Sequence, residues 1–230
     1  MTALEELDLS VAAGAVLGVA GPNGSGKSSL INVLTGHYPA SGAISLDGQQ
    51  IGHLPAPERA RLGMVRTFQS PRVYRRMSVI DNMRAALHAI RPTFQRRADR
   101  RRQEEWLFDG LALFGLNHLA EAMPDTLTHY ELRLLELARA YATGARLVLL
   151  DEPTVGATED EANRLRGVLV NHLMPGRTVI LVEHRLDMLR ALCTELVVLQ
   201  AGRKIALGRP DEVLAQPQIR ACLMGELTDA

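Results

Sequence analysis

Gly21-Pro22-Asn23-Gly24-Ser25-Gly26-Lys27-Ser28 lies between an apolar run, residues 15–20, and a segment, residues 28–34, whose spacing predicts a helix. The eight residues fit G-x-x-x-x-G-K-[ST] in the strand–loop–helix setting that this motif requires. Its glycines let successive backbone N–H groups curl around an anion without Cβ interference. The helix N-terminus adds a partial positive charge. In such a loop Lys27 is expected to reach terminal phosphates and the Ser28 hydroxyl to bind Mg²⁺, with Ser29 beside it. The stretch therefore predicts an α/β fold built around a phosphate cradle.

The pattern extends outward on both sides. Leu7, Leu9 and Val11 alternate with polar residues before Ala12-Ala13-Gly14, which predicts two strands ahead of the loop. A short strand is expected at 43–46, before Asp47-Gly48. From about Val73 to Ala142 the character changes to long helical stretches carrying Trp106, Leu107, Leu111, Leu113 and Phe114. Buried strands then return at 147–150, 178–182 and 196–199, the last pairing with 204–207 across Ala201-Gly202. The expected organisation is an α/β core, 1–72 and 141–230, interrupted by a helical subdomain, 73–140.

A second chemical motif closes one of those strands. Arg146-Leu147-Val148-Leu149-Leu150-Asp151-Glu152-Pro153 ends an apolar strand in two acids, which packing alone does not favour because unpaired buried charge is costly. Behind a phosphate loop, Asp151 suits a role beside Mg²⁺, and Glu152 suits polarising an attacking water.

Composition narrows the alternatives. The 230 residues are 47% hydrophobic, enough for a packed interior. Lys plus Arg and Asp plus Glu number 26 each, so no bulk charge points to nucleic acid. Cys193 and Cys222 lack both a disulfide framework and metal-ligand spacing, and read as reduced thiols. The N-terminal residues have neither a basic start nor an apolar core, so no secretory signal is expected. No run of about 18 apolar residues occurs. Arg91, Arg96, Arg97, Arg100, Arg101 and Arg102 form a basic stretch, read as a solvated helix face balanced by Glu104 and Glu105. A surface for anionic lipid headgroups is the alternative.

Two further residues complete a recognisable set: Gln69 in Arg66-Thr67-Phe68-Gln69-Ser70-Pro71, and His184 ending Ile180-Leu181-Val182-Glu183-His184. With the motifs above, they resemble the ATP-binding cassette (ABC) family across nearly the whole chain. The resemblance implies a P-loop NTPase fold, a RecA-like core of mixed sheet and flanking helices with an inserted α-helical subdomain. It implies ATP and Mg²⁺ as cofactors, and hydrolysis coupled to transport. Glu152, His184 and Gln69 would be catalytic, with His184 on the γ-phosphate, and Ser28, Gln69 and Asp151 would form the metal set. The nucleotide would rest on Gly21, Pro22, Asn23, Gly24, Ser25, Gly26, Lys27, Ser28 and Ser29. The implied partners are a second ATP-binding subunit, transmembrane permease subunits and, indirectly, an extracytoplasmic solute-binding protein. The implied location is cytoplasmic, peripheral on the inner face of the cell membrane. The subfamily is similar to importers of branched-chain amino acids and of urea, on Arg66 to Gln69, Met77 to Met83, Val182-Glu183-His184, and the stretches 208–213 and 220–225. Amino acids rank first. Rival readings are a non-transport ABC ATPase and a nucleotide-binding regulator with little hydrolysis.

Three departures matter. The family signature, usually Leu-Ser-Gly-Gly-Gln, aligns with Leu127-Thr128-His129-Tyr130-Glu131. Tyr130 replaces a glycine and Glu131 adds a carboxylate, and both are expected to oppose a partner's ATP, by bulk and by like charge. A heterodimer with one competent and one degenerate site is the expectation. The family's adenine-stacking aromatic has no counterpart, since no Phe, Tyr or Trp precedes Tyr38. Either that platform is missing, with weak base selectivity as the result, or the protein begins upstream of Met1. Gly156-Ala157-Thr158-Glu159 also lacks the commoner Asn or Asp-Pro ending of the family's D-loop.

Overall fold

The computed structural model describes residues 4–90 and 97–224. In chain order the elements are β1 (Val16–Ala20), α1 (Lys27–Leu34), β2 (Ser45–Leu46), β3 (Gln49–Gln50), α2 (Ala56–Arg61) and β4 (Met64–Arg66). Then follow α3 (Val79–Ile90), α4 (Arg97–Leu113) and α5 (His129–Ala142). The chain continues through β5 (Leu147–Asp151), α6 (Glu159–Val168), β6 (Thr178–Val182), α7 (Leu186–Leu192) and β7 (Glu195–Gln200). It closes with β8 (Arg203–Gly208), α8 (Pro210–Ala215) and α9 (Pro217–Met224).

Six strands form the main sheet in the order β4-β5-β6-β1-β7-β8. The first five are mutually parallel, and β8 runs antiparallel to β7. The central strands are apolar because both faces are covered. Leu149, Ile180, Val182, Leu17 and Val19 point into one apolar cluster, and Val148, Leu150, Val179 and Leu181 into the other. The β7–β8 turn places Ala201 at φ 47° and Gly202 at φ 80°. Two consecutive left-handed residues make the tight hairpin whose twist suits antiparallel strands.

One expected strand does not form. Residues 7–11 belong to no ladder. Leu4, Leu7, Leu9 and Val11 instead lie partly buried against the cluster of Leu17, Val19, Leu30 and Ile51. The alternation there records one covered face, not strand pairing. Between β4 and β5, helices α3, α4 and α5 pack together through Ile80, Met83, Leu107, Leu111, Phe114, Leu135 and Ala138. Trp106 stacks on Tyr141 with centroids 4.5 Å apart.

In the basic stretch, Arg91 and Arg96 lie outside the described residues. Arg101 pairs with Glu105 at 3.1 Å in the exposed i, i+4 arrangement of a solvated face. Among the described residues no helix is long and apolar enough to cross a membrane.

Candidate functional site

In an open parallel sheet, ligands bind outside the carboxyl ends of the strands. Here those ends deliver Gly21 after β1, Gln69 beyond β4, Asp151 and Glu152 at β5, and Glu183 and His184 after β6.

The loop from Gly21 is shaped by its own backbone. Gly21 has φ 152°, and a Cβ there would collide with the Leu199 carbonyl oxygen and stand 2.5 Å from Ser25 Oγ. Gly26, at φ 105°, begins α1 in the left-handed region. Ser25 is buried and fixes the loop twice: its N–H donates to Pro22 O at 3.2 Å, and its carbonyl accepts from Gly202 N at 3.0 Å. Pro22 and Asn23 carry the chain round to Gly24, which faces open space. Lys27 is 6% exposed, and its ammonium donates to Gly21 O at 2.8 Å and Pro22 O at 3.0 Å. Burial lowers its pKa, while the nearby carboxylates of Glu152 and Asp151 favour the charged form. Ser28 stands exposed at the first turn of α1, and Ser29 is half-buried behind it. A folded loop with an open side, a cation beside it and helix N–H groups below fits a phosphate chain.

Glu152 is the centre of the second cluster. Its backbone is left-handed at φ 50°, which is uncommon for a residue with a side chain, and its N–H donates to Val182 O at 2.9 Å. The carboxylate is 7% exposed as part of its residue and is held on both oxygens. Gln69 Nε2 donates to Oε2 at 2.7 Å, and His184 Nε2 lies 2.9 Å from Oε1. Three residues more than 30 positions apart in sequence thus meet at one carboxylate. The arrangement can orient a group that polarises water, the requirement for general-base catalysis.

Asp151 is engaged differently. Its Oδ2 accepts from Arg66 at 2.8 Å, and Arg66 also donates to Asn32 Oδ1 at 2.5 Å. Nothing in the residue order marks Arg66 as the partner of Asp151. Nor does it mark the contacts of Glu183. It is 2% exposed and accepts from Thr154 N at 3.0 Å, Thr154 Oγ1 at 2.6 Å and His184 N at 3.1 Å.

In the signature stretch the side chains of Thr128, Tyr130 and Glu131 are engaged within this chain. Leu127 is buried, and Thr128 caps α5. Glu131 Oε2 turns back to accept from Thr128 N at 2.8 Å and Thr128 Oγ1 at 2.9 Å. The pair is a capping box, legible as Thr-x-x-Glu before an apolar run. The Glu131 carboxylate therefore serves its own helix end. Tyr130 is half-buried against the core, and burial raises the pKa of its hydroxyl. His129 stands beside Gly156, where a Cβ would lie 3.4 Å from His129 Nε2. An identical capping box, Thr158 with Glu161, starts α6.

The ABC transporter family profile matches residues 4–155. BraF of Pseudomonas aeruginosa, a high-affinity branched-chain amino acid transport ATP-binding protein, is 32% identical over 98% of this chain and 93% of its own length. LivG of Escherichia coli K12, described in the same words, is 31% identical over 98% and 93%. LptB of the same organism, a lipopolysaccharide export system ATP-binding protein, is 30% identical over 97% and 91%. Among solved structures, an ATP-binding cassette of an ABC transporter in its ADP conformation superposes with a TM-score of 0.83 at 29% identity, covering 97% of this chain and 92% of that one. A nucleotide-free cassette of an ABC transporter gives 0.81 at 29% identity, covering 95% and 91%. The chain belongs to the ABC transporter family, as an ATP-binding subunit that hydrolyses ATP to drive transport.

Proposed function

We propose that this chain drives an importer of branched-chain amino acids, or of a related small polar solute such as urea. It would work from the cytoplasmic face of the membrane beneath transmembrane permease subunits, fed by an extracytoplasmic solute-binding protein. The observation that carries the chemistry is the carboxylate of Glu152, gripped by Gln69 and His184 beside the Lys27 loop. Support for the solute comes from the branched-chain amino acid relatives at 31–32% identity. LptB at 30% shows that this level of likeness also spans a protein named for export.

In the mechanism, Lys27 and the loop amides neutralise the phosphates, and Glu152 orients the water. His184 and Gln69 report the γ-phosphate to the rest of the chain. Ser28, Asp151 and Gln69 are the residues that would hold Mg²⁺, which supplies charge neutralisation between phosphates when bound. Among the described residues no three His, Cys, Asp or Glu side chains gather as a metal set. Magnesium bound mainly by phosphates and one or two protein groups requires no such cluster. Residues 1–72 and 141–230 form the catalytic core, and 73–140 the helical subdomain that carries the signature.

The second ATP-binding subunit is read as a different chain. Thr128 and Glu131 already satisfy each other at the helix end, which leaves them less free to meet a partner's ATP. Mass spectrometry of the complex purified through this chain from membranes tests the whole reading. A permease and a distinct ATP-binding chain, with ATP-dependent uptake of leucine or urea in vesicles, would support it. Recovery with export components, or with soluble repair or translation factors, would overturn it. A complex that imports normally when Glu152 is changed would leave this chain a regulator.

A further inference from the structure

Helix α5 carries the signature at its N-terminus and a buried ion pair one to two turns later. Arg133 and Glu136 are 2% and 4% exposed and pair at 2.7 Å. Neither spends its remaining contacts on its own helix. Glu136 Oε1 accepts from Phe68 N at 3.0 Å and Arg72 N at 3.2 Å. Arg133 donates to Phe68 O at 2.6 Å and, through Nη2, to Gln69 O. Arg139, two helical steps on, donates to Arg72 O. The backbone from 68 to 72 therefore hangs on three charged side chains of one helix, and its Gln69 side chain reaches Glu152 at 2.7 Å.

We infer that Arg133 and Glu136 are positioning residues for hydrolysis: they clamp the Gln69 main chain to α5, so that its side chain is held against the Glu152 carboxylate. A buried ion pair is a poor source of stability, since an apolar pair of similar volume often does as well. Its use here is geometric. A carboxylate and a guanidinium together offer acceptors and donors to both sides of one loop, which no apolar pair does. This inference rests on the reading of Gln69 and Glu152 as catalytic.

The test compares ATP turnover of the purified transporter complex, and affinity of the chain for a fluorescent ATP analogue, across a set of variants. They are Gln69→Ala, Glu136→Ala, Glu136→Gln, the double change Arg133→Met/Glu136→Gln, and each α5 change combined with Gln69→Ala. Glu136→Gln keeps an acceptor for Phe68 and Arg72 and is expected to retain most turnover. Glu136→Ala and the double change are expected to lower kcat by roughly tenfold or more, because small misplacement near a reacting group is costly, with nucleotide affinity within about twofold. Neither should slow Gln69→Ala further, since residues acting through one another do not add. Should Glu136→Ala fail to fold, the double change carries the test, as it buries no unpaired charge. Unaltered kcat in the α5 variants, or losses that multiply with that of Gln69→Ala, would overturn the clamp alone. Wild-type turnover in Gln69→Ala would remove the reading beneath it, and the clamp with it.

Discussion

Glu183 holds Thr154 by two bonds, accepting its main-chain N–H at 3.0 Å and its hydroxyl at 2.6 Å. Thr154 lies two residues beyond Glu152, and His184 follows Glu183 directly, so one buried carboxylate ties together the strand ends that carry Glu152 and His184. Glu183→Ala leaves two donors of Thr154 and one of His184 without their acceptor. It is expected to cost about 1–3 kcal/mol of stability and to slow hydrolysis, with Glu183→Gln milder in both. Urea unfolding and turnover measured together check this. An alanine variant as stable and as fast as the parent would contradict it.

Cys193 tests the same neighbourhood chemically. Burial, reinforced by the Glu183 charge, pushes its thiol up to about 12. Since the thiolate is the reactive form, alkylation of Cys193 at pH 8 is expected to be slow in the folded chain and fast in denaturant. Peptide mass spectrometry after maleimide treatment reads this directly. Rapid native labelling would show the thiol to be accessible and ionisable.

The loop makes its own prediction. Gly21→Ala sets a Cβ against the Leu199 carbonyl oxygen, a backbone atom that cannot rotate away. The loop must shift, and ATP affinity is expected to fall by at least about tenfold, because the phosphate site depends on aligned main-chain N–H groups. Titration with a fluorescent ATP analogue measures it. An unchanged Kd would mean that the loop geometry is not what binds the nucleotide.

At the signature, restoring a glycine is not expected to help. Tyr130 packs into its own core, so Tyr130→Gly loses that contact and about 0.5 kcal/mol of helix preference. Glu131→Ala removes half of the capping box and is expected to cost about 1 kcal/mol. Thermal melts should fall for both, without a gain in turnover. Faster hydrolysis by Tyr130→Gly would restore bulk at position 130 as the obstruction.

Much of this site was legible in the residue order because its parts are local. A phosphate loop is eight consecutive residues, and Asp151-Glu152 and Glu183-His184 each end one apolar strand. The β7–β8 hairpin announced itself in Ala201-Gly202. Contacts made across the sheet were not legible. Arg66 meets Asp151 at a separation of 85 residues, and Glu183 meets Thr154 at 29. The alternation at residues 7–11 misled because a covered face and a paired strand share a period of two. The capping boxes, by contrast, are local and stand in the sequence as Thr-x-x-Glu.

In the proposed mechanism Glu152, steadied by Gln69 and His184, polarises the water that attacks ATP. Glu152→Gln keeps the size and both contact positions of the side chain but removes its charge. Equilibrium ATP binding and single-turnover hydrolysis, measured on the same preparation, separate the two functions. Binding within about threefold of the parent, with hydrolysis slowed by about 100-fold or more, is the expected result. Hydrolysis at the parental rate would exclude Glu152 as the group that polarises the water.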